Sequence, residues 1–370
     1  MGDKVYVTRP FLPPLEEVNQ YLEKIWADRL LTNNGRFHNE LENKLAEFLN
    51  VKYVSLLANG TLALLLALKA LEITGEVITT PYSFVATTHI LWWNQITPVF
   101  VDIQEKTCNI DPVKIERAIT EKTKAILPVH VYGNPCEIES IKQIAEIHNL
   151  KIIYDACHAF GVKYKNESIF NFGDISVVSF HATKIFNTFE GGAIITNSKE
   201  LKKKIDFLKN FGFSNETTVI GPGINAKMNE FQAAIGLLQL KYFNSIIEKR
   251  RKIYNYYIQE LNEIKGIRTL TITKNTTYNY AYFPIFIDRE AFGMTRDELY
   301  DLFKCYNIYT RRYFFPLISE FPVYNNLPSS DNSNLINAYK ASREVLCLPI
   351  YPDLNLTVQQ KIIDIIKTRK

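Results

Sequence analysis

The strongest constraint on how this chain folds is a series of seven short segments between Lys52 and Asn197: YVSLL, EVITT, TPVFVDI, TKAILPVHVY, KIIYDA, DISVVSF and GGAIIT. Each is nearly continuous in apolar and β-branched residues instead of alternating with polar ones, the pattern of strands covered on both faces. Helix-length segments with residues able to cap their starts lie between them: GTLALLLALKAL, SFVATTHILWWNQ, DPVKIERAIT and ESIKQIAEIHN. The alternation predicts an α/β domain with a mainly parallel sheet. GGAIIT follows its predecessor closely enough to return as an antiparallel strand.

After Met228 the stretch NEFQAAIGLLQLKYFNSIIEKRRKIYNYYIQELNEI carries apolar residues at helical spacing and predicts a long helix leading out of the large domain. Beyond it, TYNYAYFPIFI, TRDELYDLFKCYN, IYTRRYFFPL and VQQKIIDIIKTRK suggest a smaller α/β domain, and SSDNSN at 329–334 is the most loop-like stretch. We expect a large domain over residues 1–245 and a small one over 246–370; with 46% hydrophobic residues in 370, two cores are within reach.

Charge narrows the partners. The 43 basic and 39 acidic residues are spread without blocks, which gives no electrostatic argument for nucleic acid or membrane and leaves a small anionic ligand open. MGDKVYVTRPFLPP lacks the apolar core of a signal peptide, and no apolar run reaches the roughly 18 residues of a membrane span, so a cytoplasmic location is expected. Five scattered cysteines without a CxxC pair read as reduced thiols, and six histidines without HExxH-like spacing point away from a metal site.

In parallel α/β sheets ligands collect beyond the carboxyl ends of the strands, so the residues just after each run matter most. The first strand ends in Asn59-Gly60-Thr61 and turns into a helix. Free amides at the helix start would cradle a phosphate, with Gly60 permitting close approach and Thr61 donating a hydroxyl; NGT is also an ordinary turn and cap. Tyr82, after the second strand, can lie over a planar cofactor or pack in the core.

Asp155 in KIIYDACHAFG follows apolar residues, where an ionised carboxylate needs a partner; it can cap a loop, or pair with a protonated pyridine nitrogen and make that ring an electron sink. His158 can bind the ring substituent or be a satisfied loop histidine. In SFHATKIFNTFEGG, Ser179 can bind phosphate, Lys184 can form a Schiff base with a cofactor carbonyl, and Gly191-Gly192 let the chain turn tightly into the next strand. A lysine in that position otherwise lies in solvent.

This order of residues resembles the pyridoxal-phosphate aminotransferases of fold type I, specifically the DegT/StrS-type nucleotide-sugar aminotransferases. The likeness runs from Asn34-Gly35-Arg36-Phe37 and NGT through TTPYSFVAT, YDACHAFG, SFHATKIFNTFEGGAI and GINAKMNEFQAA to LPIYP, nearly the whole chain. It implies pyridoxal 5′-phosphate linked to Lys184, Asp155 on the pyridine nitrogen, His158 near the phenolic oxygen, Gly60, Thr61 and Ser179 on the phosphate, and Tyr82 stacked on the ring. It also implies a homodimer with shared active sites, in which Asn225 reaches the neighbour's phosphate with Lys227 close by, where many relatives have arginine. Tyr351 stands where histidine is frequent.

The activity implied is amino transfer from L-glutamate to a nucleotide-linked ketosugar. The SFHATKxFNTxEGGA form is most similar to enzymes acting at C-4 of dTDP-4-keto-6-deoxyglucose for surface polysaccharides; a 3-keto nucleotide sugar and a non-catalytic cofactor-binding regulator are the alternatives. Related dehydratases carry histidine in place of the lysine, and a nicotinamide enzyme would need a GxGxxG after an early strand. Arg311, Arg312, Tyr313, Phe314 and Phe315 place cations beside aromatics, the chemistry a diphosphate and a base require, although part of this stretch can equally be core or solvated.

Overall fold

The computed structural model describes residues 4–369. Its large sheet has seven strands: β1 (Tyr53–Leu57), β2 (Glu76–Thr79), β3 (Thr97–Phe100), β4 (Thr123–Leu127), β5 (Lys151–Asp155), β6 (Ile175–Ser179) and β7 (Gly192–Thr196). They lie in the order β1-β7-β6-β5-β4-β2-β3. All neighbouring pairs are parallel except those of β7, which is antiparallel to both β1 and β6. Every one of the seven expected runs therefore contains a strand. TKAILPVHVY is shortened to Leu127 because Pro128 has no amide to continue the ladder.

Successive residues of these strands serve opposite faces, as a two-residue period requires. Ile126, Ile152, Tyr154 and Val178 join one apolar cluster, whereas Ala125, Leu127, Ile153 and Val177 join the other. Helices cover both. Before the sheet come α1 (Leu15–Asp28) and α2 (Arg36–Leu49), and between its strands α3 (Gly60–Ala70), α4 (Ala86–Trp93), α5 (Pro112–Arg117) and α6 (Ile138–His148), with α7 (Lys199–Leu208) after it. Residues of α2 and α6 pack on the first face and those of α3, α4 and α7 on the second, so neither side of the sheet is left to water.

The helix α8 (Glu230–Leu261) is 32 residues long and starts in a capping box of Asn229 and Gln232. Its Ala233, Ala234, Leu237, Phe243 and Ile246 belong to the first cluster of the large sheet. Its Ile253, Tyr254, Tyr257 and Leu261 belong to a separate core built on a three-stranded antiparallel sheet of Ile267–Thr269, Pro284–Ile287 and Val345–Cys347. One helix thus enters two cores. The chain start also crosses over, since Val5 and Tyr6 pair in parallel with Ile308 and Tyr309. Among the described residues no helix is long and apolar enough to cross a membrane.

Glu230 ties α8 to α2. Its carboxylate, 2% exposed, accepts the amides of Phe37 and His38, each at 2.8 Å. These are orphan donors at the start of α2, and the acid supplies both hydrogen bonds and the negative charge that a helix start favours. Gly35 is needed beside it, because a Cβ there would lie 2.5 Å from the Glu230 Cδ. Glu230→Ala should lower the unfolding free energy of the apo-protein by about 2–4 kcal/mol, since two buried amides lose a charged partner. Urea melts of both proteins at one concentration measure this, and a loss below about 0.5 kcal/mol would mean that water replaces the carboxylate at no cost.

Candidate active site

The carboxyl ends of β1, β5 and β6 open on a cavity of about 340 Å³. At one end, Asn59 caps α3 by accepting the Leu62 amide at 2.9 Å, and the helix begins with Gly60 and Thr61 on the cavity wall. Ser179 faces them from the end of β6. A Cβ on Gly60 would lie 2.9 Å from the Ser179 Cβ, filling the space between hydroxyl and helix start. A Cβ on Gly192 would lie 2.8 Å from the Gly60 nitrogen, so the turn can cross β7 only over a glycine. The hollow left by two missing side chains, at a helix start with a serine beside it, suits a phosphate.

Deeper in the cavity Asp155, the last residue of β5, is 5% exposed. Its Oδ2 accepts the Thr87 hydroxyl at 2.8 Å and its Oδ1 accepts the Cys157 amide at 3.2 Å. The carboxylate is anchored from behind and faces a cavity wall. His158 is buried against Phe314, ring centroids 5.8 Å apart, and against Tyr282 at 5.0 Å. Burial, aided by the charge of Lys184, pushes its imidazole well below the usual histidine value, so the ring is neutral. Its Nδ1 has no hydrogen-bond partner among the described residues. A buried polar atom of that kind calls for a ligand.

Lys184 lies in the turn after β6, with its amide bonded to the His181 carbonyl at 2.8 Å. Its side chain is half-buried and lines the cavity, and its Nζ lies 3.4 Å from the Tyr282 hydroxyl. Burial lowers its pKa, opposed by Cys157, Asp155 and Tyr313. A shift in this direction raises the share of neutral, nucleophilic amine.

Other expectations need correction. Tyr82 is fully buried, does not line the cavity, and its hydroxyl contacts the Tyr132 hydroxyl at 2.8 Å and the Tyr313 carbonyl at 3.3 Å. It packs edge-on against Tyr132 and Phe314, so it cannot lie over a ring in the cavity. Phe84, two residues on and 62% exposed, does present an apolar face there. Arg312 is held by Asp297 at 2.7 Å and lies over Tyr300, outside the cavity, and Phe315 sits under Arg296. Only Arg311, Tyr313 and Phe314 of that stretch reach the lining. Asn225 and Lys227, expected to serve a neighbour's site, need no correction: both lie outside this chain's own cavity, with Asn225 exposed and the Lys227 ammonium 4.6 Å over the Phe211 ring. Tyr351 is buried in the small core. Thr87, Tyr282 and Glu190, which sequence reasoning passed over, are in the lining. Thr87 and Glu190 had a signal, as parts of TTPYSFVAT and SFHATKIFNTFEGGAI; Tyr282 had none.

The donor set fits pyridoxal 5′-phosphate: a phosphate hollow, a carboxylate for a ring nitrogen, an unpaired histidine nitrogen and a desolvated lysine in one cavity. Fold and site define an aminotransferase of fold type I that uses this cofactor. The chain matches the model of the DegT/DnrJ/EryC1/StrS aminotransferase family over residues 15–367 and belongs to that family. It is 53% identical over 365 residues, 98% of each chain, to a dTDP-4-amino-4,6-dideoxy-D-glucose transaminase of Escherichia coli. It is 50% identical over 370 residues, 100% of each chain, to a protein of the same name from Shigella dysenteriae. The crystal structure of DesI in the presence of its TDP-sugar product matches with a TM-score of 0.93 at 32% identity, covering 99% of this chain and 92% of that one.

Lys184→Ala should abolish both transamination and the borohydride-reducible link to the cofactor, while the purified wild type is yellow. A reducible link surviving in the variant, located by peptide mapping, would assign the attachment to another lysine.

Proposed function

We propose that this chain transfers the amino group of L-glutamate to C-4 of dTDP-4-keto-6-deoxy-D-glucose, giving dTDP-4-amino-4,6-dideoxy-D-glucose for a surface polysaccharide. The observation that carries the substrate is the identity of 53% and 50%, over essentially the whole chain, to two transaminases named for that product. Glutamate as donor follows from the resemblance to nucleotide-sugar aminotransferases, and it is supported by Arg311 in the cavity lining, whose guanidinium suits a carboxylate in one half-reaction and a diphosphate in the other.

Pyridoxal 5′-phosphate, when bound, supplies an electron sink conjugated to the carbon that carries the amino group. Asp155 would hold the ring nitrogen in its charged form, and His158 would offer its Nδ1 to the ring's oxygen substituent. Gly60, Thr61 and Ser179 fix the phosphate and so the ring's position. The Lys184 amine, in the cavity beside the Tyr282 hydroxyl, would be the group that takes up the proton from the donor's Cα and holds it, and in the ketosugar half-reaction the same amine would act in the opposite direction. Burial of Lys184 favours the neutral amine that this base must be.

The same reading makes the enzyme a homodimer with shared sites. Trp26, Leu30 and Leu31 are 72%, 56% and 61% exposed at the end of α1 and just beyond it, apolar surface that a second copy would cover. Asn225 is free to reach across. The five cysteines are all unpaired, which suits the reducing cytoplasm.

With glutamate and dTDP-4-keto-6-deoxyglucose, NMR of the product should show nitrogen at C-4. Nitrogen at C-3, or reaction with a 3-keto isomer alone, would reject the position and keep the transaminase. Mixed dimers of Lys184→Ala with Asn225→Ala, under conditions of demonstrated subunit exchange, should regain one intact site in each heterodimer. Activity no higher than that of the separate variants, with Asn225→Ala itself impaired, would place Asn225 in its own subunit's site.

A further inference from the structure

The TTPYSFVAT segment supplies more than the aromatic face of Phe84. Ser83 and Thr87 are 4% and 1% exposed, both border the cavity, and their hydroxyl oxygens are 2.8 Å apart. Thr87 donates its proton to the Asp155 Oδ2 at 2.8 Å. Its oxygen is therefore left to accept the Ser83 hydroxyl, and the three groups form a chain of one direction, Ser83 to Thr87 to Asp155. Neighbouring hydrogen bonds of this kind polarise and strengthen one another in a water-poor site.

The other holds on the carboxylate among the described residues come from one residue, Cys157, whose amide donates to Oδ1 at a longer 3.2 Å and whose thiol lies against the carboxylate as a weak donor. The terminal torsion of an aspartate is broad, with no steep well to set the plane of its carboxylate. Without Thr87 that plane would be set from the Cys157 side alone. We propose that Ser83 and Thr87 are a hydroxyl relay that sets the plane of the Asp155 carboxylate, aiming its free lone pair at the cofactor's ring nitrogen, and that Thr87 is accordingly a positioning residue for transamination. This rests on the reading that Asp155 meets that nitrogen.

A residue needed merely to satisfy a buried acid would affect folding alone. A residue that aims the acid must also affect how long the cofactor stays and how fast chemistry runs, with little effect on substrate affinity. Thr87→Val keeps the side chain's shape and removes the donor. Its holoenzyme should lose the cofactor's visible absorbance about tenfold faster on dilution than the wild type, the scale of one hydrogen bond to a charged group. Turnover should fall about tenfold with KM for both substrates within about twofold, and Thr87→Ser should restore both.

Ser83→Ala should shift release and turnover in the same direction by about threefold, and it carries the test alone if Thr87→Val does not fold. Wild-type release and turnover in Thr87→Val, or in Ser83→Ala where that stands in, would overturn the relay. Failure of the underlying reading looks different: Asp155→Asn would then keep wild-type turnover and cofactor retention, whereas if only the relay is wrong Asp155→Asn is impaired and Thr87→Val is not.

Discussion

The site depends on one row of residues in register across three strands. Gly192, the first residue of β7, pairs with Leu57 at the end of β1 on one side and with Ser179 at the end of β6 on the other. That row levels the ends of two strands from distant parts of the sequence, and the chain leaving β1 then bends over it into α3. Gly60 and Ser179 meet because Gly192 carries no side chain to hold them apart. One strand further along, Asp155 pairs with Val177 of β6, so the carboxylate emerges from the same edge as the serine. The antiparallel β7 is what makes this possible: it closes the loop bearing Lys184 back onto the edge from which β6 left.

The sequence announced the strands and their order of use because their near-continuous apolar runs have no reading other than burial on both faces. Gly60, Asp155, Ser179 and Lys184 were picked because each lies at or within a few residues of the end of such a run, and the four line one cavity. The sequence failed where two candidates sit close together and only the third dimension separates them. Tyr82 and Phe84 are two residues apart in one irregular stretch; the tyrosine is drawn inward by the hydroxyl of Tyr132, which is 50 positions away. Arg311 and Arg312 differ likewise. Arg311 is fixed through its backbone to Cys347 and keeps its side chain for the cavity, while its neighbour is taken by Asp297. Nothing in an Arg-Arg pair says which one has an acidic partner nearby.

The cavity has a second wall that no strand-end argument would find. Tyr282 comes from just before the Pro284–Ile287 strand of the small core, yet its hydroxyl lies next to the Lys184 amine. Phe314 stacks on His158 from the segment after Ile308–Tyr309. Both belong to an aromatic cluster that joins the two units: Tyr82 and Tyr132 from the large sheet's edge pack with Phe314, Phe286 and Cys347, and Tyr282 and Tyr313 lie against them. The Tyr132 hydroxyl also donates to the Tyr313 carbonyl at 2.8 Å.

Tyr82, displaced from the role of covering a ring, therefore has a different one. It holds in place the segment that puts Arg311, Tyr313 and Phe314 at the cavity. The fully buried hydroxyls of Tyr82 and Tyr132 must be satisfied or cost stability: Tyr132 donates to the Tyr313 carbonyl at 2.8 Å, which leaves its oxygen to accept the Tyr82 hydroxyl at 2.8 Å. This makes the junction between the units directional as well as apolar. Apolar packing alone tolerates sliding, whereas a chain of two phenols that ends on one backbone oxygen does not. The lysine that does the chemistry stands on the large unit, the side chains that enclose it stand on the small one, and the buried tyrosine pair keeps the two in a single arrangement.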